Sequence, residues 1–101
     1  MKPTYVLFTC DVECSIGNSG TFGHPIFRPW PVDVWMWGRL GNSSQEWGVG
    51  RLMDQLDQRG MKGTFYLSAL ERHFHGDEPL EAVARGIEDR GHETGVHVHC
   101  A

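Results

Sequence analysis

Two short clusters at opposite ends of the sequence carry residue types able to do chemistry. Near the start, Phe8-Thr9-Cys10-Asp11-Val12-Glu13 sets two carboxylates two residues apart at the close of an apolar run. Near the end, Gly91-His92-Glu93-Thr94-Gly95-Val96-His97-Val98-His99 sets two imidazoles two residues apart. Residues i and i+2 of a β-strand share a face, so Asp11 with Glu13, and His97 with His99, each project as a pair. Strands that are near neighbours in one parallel sheet bring both pairs to its carboxyl edge. Two imidazoles and one or two carboxylates converging there make a metal site with an open position, and zinc suits such donors. A bound divalent metal lowers the pKa of water and polarises a carbonyl. A neighbouring carboxylate that does not ligate can take the water proton. Spacing leaves open which of Asp11 and Glu13 is ligand and which is base.

The elements that must position these pairs follow from periodicity. Tyr5-Val6-Leu7-Phe8 is a continuous apolar run that predicts a strand buried on both faces. Val49, Leu52, Met53 and Leu56 fall at i, i+3, i+4 and i+7, the stripe of an amphipathic helix. Ser43, three residues before Glu46, predicts a capping box in front of it, and Gly60 a C-terminal cap. Gly63-Thr64-Phe65-Tyr66-Leu67 predicts a second strand. Leu80, Val83, Ala84 and Ile87 repeat the helical stripe, with Pro79 at the first position and Gly91 at the stop. A third strand runs from about Glu93 to His99. Strand and helix alternate, which implies an α/β fold with a parallel sheet and right-handed crossovers.

Between Cys14 and about Ser43 lies a connection longer than most βα loops. It carries Trp30, Trp35 and Trp37, with Trp47 just beyond. Indole faces stack on the apolar faces of sugar rings, which makes Trp35 and Trp37 candidate substrate contacts. His24, Arg28 and Asp33 lie in the same stretch without a pattern that separates them from ordinary loop residues. His73 and His75 follow the second strand and are read as surface residues. His92 precedes the third strand and is read as orienting its turn or donating a supporting hydrogen bond.

Composition narrows the classes. The chain has 101 residues, 40% hydrophobic and 22% charged, as in an ordinary globular domain. Net charge is −4 and the basic residues are scattered, which argues against a nucleic-acid surface or a polybasic membrane patch. The N-terminal apolar run is too short for a secretory core or a transmembrane segment, so a cytoplasmic location is expected. Three cysteines, Cys10, Cys14 and Cys100, give no disulfide framework and match structural zinc spacing poorly. The third strand reaches almost to the last residue, and three parallel strands leave two raw edges. The chain is therefore read as a truncated, N-terminal portion of a larger α/β barrel domain.

The motifs, taken in order, resemble the polysaccharide deacetylase superfamily (NodB homology, carbohydrate esterase family 4), in its WbmS-like branch. Leu7-Phe8-Thr9-Cys10-Asp11-Val12-Glu13 looks like a first motif written Asp-Val-Glu. Gln45-Glu46-Trp47-Gly48, Leu52-Met53-Asp54-Gln55-Leu56 and Gly60-Met61-Lys62-Gly63-Thr64-Phe65-Tyr66 follow in family order, and Gly91-His92-Glu93 through His97-Val98-His99 looks like a second motif. The resemblance implies a distorted (β/α) barrel and metal-dependent removal of acetyl groups from N-acetylated sugars in polysaccharide or cell-surface carbohydrate metabolism. It makes Asp11 the general base, Glu13 the metal carboxylate and His97 a metal ligand. Many members place a second histidine four residues after the first; here that position is Ala101, so His99 must substitute. Cys100 stands where the His-x-His branch usually has proline. Two alternatives remain at this level. One is a carbohydrate-binding relative without catalysis; the other is a small Cys/His zinc-stabilised interaction module.

Overall fold

The computed structural model describes residues 2–13 and 32–98, apart from the side chains of Trp35, His73 and Phe74. Seven elements follow one another: β1 (Phe8–Val12), α1 (Val32–Trp35), α2 (Val49–Asp57), β2 (Gly63–Ser68), α3 (Glu71–His75), α4 (Asp77–Asp89) and β3 (Glu93–His97). The strands form a parallel sheet in the order β1-β2-β3. This is an α/β architecture whose strand order follows the chain.

Parallel crossovers are right-handed almost without exception. Two successive crossovers that advance the same way across a sheet therefore put their helices on one face. The core confirms the placement. Val12 and Phe65 from the sheet are buried with Met53 and Leu56 of α2 and Val83 and Ile87 of α4. The stripes read from the sequence are the faces that pack, and burying each such side chain stabilises by about 1.5–3 kcal/mol before entropy is counted. Phe65 lies at the centre, with Phe8 at 6.3 Å between ring centroids.

Register assigns the two faces. Cys10 pairs with Phe65 and Thr94, on the helix side; Asp11 pairs with Tyr66 and Gly95, on the other. Thr9, Asp11, Tyr66, Ser68, Gly95 and His97 thus share the face opposite the helices. Tyr66 lays its ring across β3 there, and only glycine at 95 leaves it room: a Cβ would fall 2.6 Å from the ring.

Three local expectations fail. Tyr5, Val6 and Leu7 are exposed and lie outside any strand. β2 begins at Gly63, the partner of Phe8, so earlier residues of the first run have no strand beside them. The ladder moves toward the carboxyl side and takes Asp11 and Val12 into β1. The capping box also fails, because α2 starts at Val49 with Gly48 as its cap and no capping side chain. Ser43 instead accepts the Gln45 N–H at 3.1 Å. Glu46 still serves the helix, since its carboxylate fills the space a side chain on Gly50 would need, beside the positive end of the dipole. Arg39 holds that carboxylate at 2.7 Å and reaches Asp33 of α1 at 2.8 Å; its hydrogen bond to Glu46 raises its already high pKa. Pro79 is the third residue of α4 rather than the first, still within the turn whose N–H groups need no intrahelical acceptor.

Candidate metal centre

Asp11 and Glu13 reach the carboxyl edge of the sheet from β1, an edge strand. His97 reaches it from β3, the opposite edge, with β2 between them. His97 Nε2 stands 2.9 Å from Glu13 Oε1 and 3.8 Å from Asp11 Oδ2. Ligand atoms of all three lie within 4.8 Å of one another. Donors about 2.0–2.2 Å from a tetrahedral zinc stand roughly 3.3 Å apart. The two measured separations bracket that value, so small side-chain rotations suffice to gather the three donors around one ion. An imidazole with two carboxylates is also an ordinary donor set for such a metal.

The three are not equally sheltered. Asp11 is 54% exposed, whereas Glu13 and His97 are 19% and 25% exposed. Glu13 and His97 form the inner pair, and Asp11 faces the solvent side. That asymmetry distinguishes the two carboxylates by exposure.

His97 is fixed from below. Its backbone carbonyl accepts the Ala69 N–H at 3.0 Å, one residue past the end of β2. In register beside it stands Ser68, whose hydroxyl is buried with no hydrogen-bond partner among the described residues. Past Ser68, the short helix α3 opens on Glu71, fully buried, which pairs with His75 at 3.2 Å. His75 is therefore an interior group, contrary to the surface role read from sequence. The i, i+4 spacing of Glu71 and His75 was visible, but the sequence shows no helical stripe over so short an element.

Next to the carboxylates lies a cleft of about 160 Å³. Asp11 and Glu13 border it, and Met36, Val49 and Leu52 face them from the turn after α1 and from α2. Cys10 borders it as well; burial, and then the neighbouring Asp11 charge, push its thiol pKa up, which keeps it a neutral thiol. Sequence reasoning missed this cleft because Met36 belongs to the long connection, where no periodicity marked it.

Among the other candidates, His99 lies outside the described residues, as do His24, Arg28, Trp30, Cys14, Cys100 and Ala101. The Trp35 side chain is likewise outside the description. Trp37 is half-buried with its ring against Gly86 of α4, and the Arg39 guanidinium lies over the ring at 5.5 Å. Trp47 is exposed, with Arg51 at 6.0 Å from its ring centroid.

His92 belongs to the opposite edge. Its Nδ1 accepts the Gly63 N–H at 3.1 Å and its Nε2 meets Asp57 Oδ1 at 2.8 Å. Accepting at Nδ1 puts the proton on Nε2, which donates to Asp57. Its ring also stands edge-on to Phe65. It organises the turn into β3, as the sequence suggested, and takes no part in the metal cluster.

The chain matches no protein-family model, no curated protein and no solved structure. Among the described residues, no helix is long and apolar enough to cross a membrane.

Proposed function

We propose that this chain carries the metal centre of an amidohydrolase that deacetylates an N-acetylated sugar, on the first strands of a NodB-type (β/α) barrel. One observation carries the reading. Asp11, Glu13 and His97, distant in sequence, meet at metal-ligand spacing at the carboxyl edge of a parallel sheet. In α/β sheets ligands collect at that edge. Placement of both helices on one face, with the trio on the other, is the arrangement a barrel interior requires.

In this reading Glu13 and His97 would hold zinc, and His99, which the sequence offers as a further ligand, lies outside the described residues. Bound there, zinc would supply Lewis acidity toward water and the acetyl carbonyl. Asp11, the more exposed carboxylate, accepts the proton as water adds to the carbonyl carbon. It returns that proton to the sugar nitrogen as the C–N bond breaks, releasing acetate and the free amine. Glu13 is held in place by the imidazole it contacts, which leaves Asp11 the freer to move a proton.

Calorimetric zinc titration and acetate release from N-acetylglucosamine oligomers test the proposal. Zinc is expected to bind the chain at one equivalent, with affinity falling about a hundredfold or more in His97→Ala. Unchanged affinity in that variant would sink the assignment. The exposed Trp47 favours a second reading, sugar binding without hydrolysis. Oligomer binding that persists in chelator, with no acetate released by the intact protein, would select it.

A further inference from the structure

Resting on the amidohydrolase reading, we propose that Ser68 is a positioning residue of the metal centre. Its hydroxyl donates to the Glu13 carboxylate oxygen that does not hold the ion, and so keeps Glu13 a single-oxygen ligand.

Register is the first reason. Ser68 of β2 pairs with His97 of β3. Toward the other edge Val12 pairs with Leu67, so the residues that follow them, Glu13 and Ser68, stand side by side. The His97–Glu13 contact of 2.9 Å joins the two edge strands, and neighbouring strands lie about 4.8 Å apart. The two side chains therefore reach toward each other across β2 at the level of Ser68. Strand alternation puts Ser68 on their face of the sheet. The Ala69 amide, donating to the His97 carbonyl at 3.0 Å, carries the ladder past this row and holds it in place. Asp11 stands one row back, paired with Tyr66, and is the more exposed carboxylate, which leaves Glu13 as the acceptor.

The hydroxyl itself is the second reason. Ser68 is 1% exposed, and its Oγ has no hydrogen-bond partner among the described residues. Leaving a buried hydroxyl unpaired costs stability, and a partner gained only with the metal bound turns that penalty into affinity. A serine has one proton to give, and an ionised carboxylate on a metal has a second oxygen to receive it. With that oxygen engaged, Glu13 ligates through the other alone. Without the hydroxyl, both oxygens can close on the ion and raise its coordination number.

Zinc affinity and the visible spectrum of the cobalt(II)-loaded chain read the two halves of the proposal. Ser68→Ala is expected to lower zinc affinity about tenfold. It should also weaken the cobalt absorption, as a four-coordinate ion becomes five-coordinate. Metal-free Ser68→Ala should keep the urea midpoint of the unmodified chain or exceed it. An unchanged cobalt spectrum, or zinc affinity equal to that of the unmodified chain, overturns the role of Ser68. A lowered urea midpoint overturns it as well, because a merely structural hydroxyl would give that result. In each of these cases zinc uptake by the unmodified chain leaves the amidohydrolase reading standing. Failure of the unmodified chain to take up zinc overturns both.

Discussion

Two histidines lie at opposite edges of the same sheet, each against carboxylates, and they do different things. His92 at the amino edge has no exposed side-chain surface, and both of its ring nitrogens are engaged. Its acid partner Asp57 is shared with Arg90 at 3.0 Å, and Arg90 also holds Asp54. His97 at the carboxyl edge is a quarter exposed and turns a single nitrogen toward two carboxylates. The first set balances two acids with a permanent cation and a satisfied imidazole. The second gathers two acids around one imidazole, which is the electrostatic setting a divalent cation relieves. Convergence of two acids on one imidazole is what makes His97 a candidate ligand.

Replacing each histidine breaks the comparison most directly. His92→Ala strips the acceptor from the buried Gly63 N–H and opens a cavity beside Phe65, so a loss of roughly 2–4 kcal/mol is expected in urea unfolding. His97→Ala should cost less than about 1 kcal/mol in the metal-free protein, since its pairing is partly exposed. Equal losses would erase the distinction.

Next in size is Gly95→Ala, which forces the Tyr66 ring off β3 on the site face. A destabilisation of about 1–3 kcal/mol is expected, together with weakened zinc binding. Full zinc affinity in that variant would show that the ring plays no part in shaping the site.

Acid sharpens the amino edge further. The Arg90 hydrogen bond, helped by that from His92, lowers the Asp57 pKa below the usual carboxylate value. Between the two values the unfolded chain binds the extra proton, so stability rises with pH there. The Asp57 contribution is complete above about pH 4 and is lost as pH falls through the lowered folded value. Asp57→Asn should flatten that part of the stability profile, measured by urea midpoints at successive pH values. An unaltered acid limb would mean Asp57 is not linked to folding.

The smallest effect is expected at Ser68. Removing a buried hydroxyl that has no partner among the described residues should be neutral or stabilising by less than about 1 kcal/mol. A clear loss in Ser68→Ala would reveal a partner beyond the described residues.

Much of this organisation was legible in the sequence because it rests on short-range periodicity. The stripes of α2 and α4 and the aromatic, β-branched run of β2 are local patterns, and those elements form where they were read. The i, i+2 spacing of Asp11 and Glu13 likewise announced a pair, and the position of His97 two strands on placed it within reach. What failed depended on partners distant in the chain. Tyr5 to Leu7 have the composition of a strand, but β2 is too short to pair with them. Ser43 has the spacing of a cap, but the helix begins where the Met36 and Trp37 carbonyls accept the Val49 and Gly48 amides. The His75 side chain is largely covered where it pairs with the buried Glu71, which no local pattern encodes. Convergence of the trio needed both register and strand order, and only the order was inferable.

The hydrogen bond from the Ala69 amide to the His97 carbonyl has a dynamic meaning. It joins the end of β3 to the turn that leads into α3, so the site imidazole and the buried Glu71–His75 pair belong to one cooperative unit. Local opening cannot free the histidine while leaving that turn in place. The Ala69 proton should therefore exchange with solvent no faster than the site itself comes apart, and an ion held by the His97 and Glu13 side chains would slow a proton that contacts neither side chain.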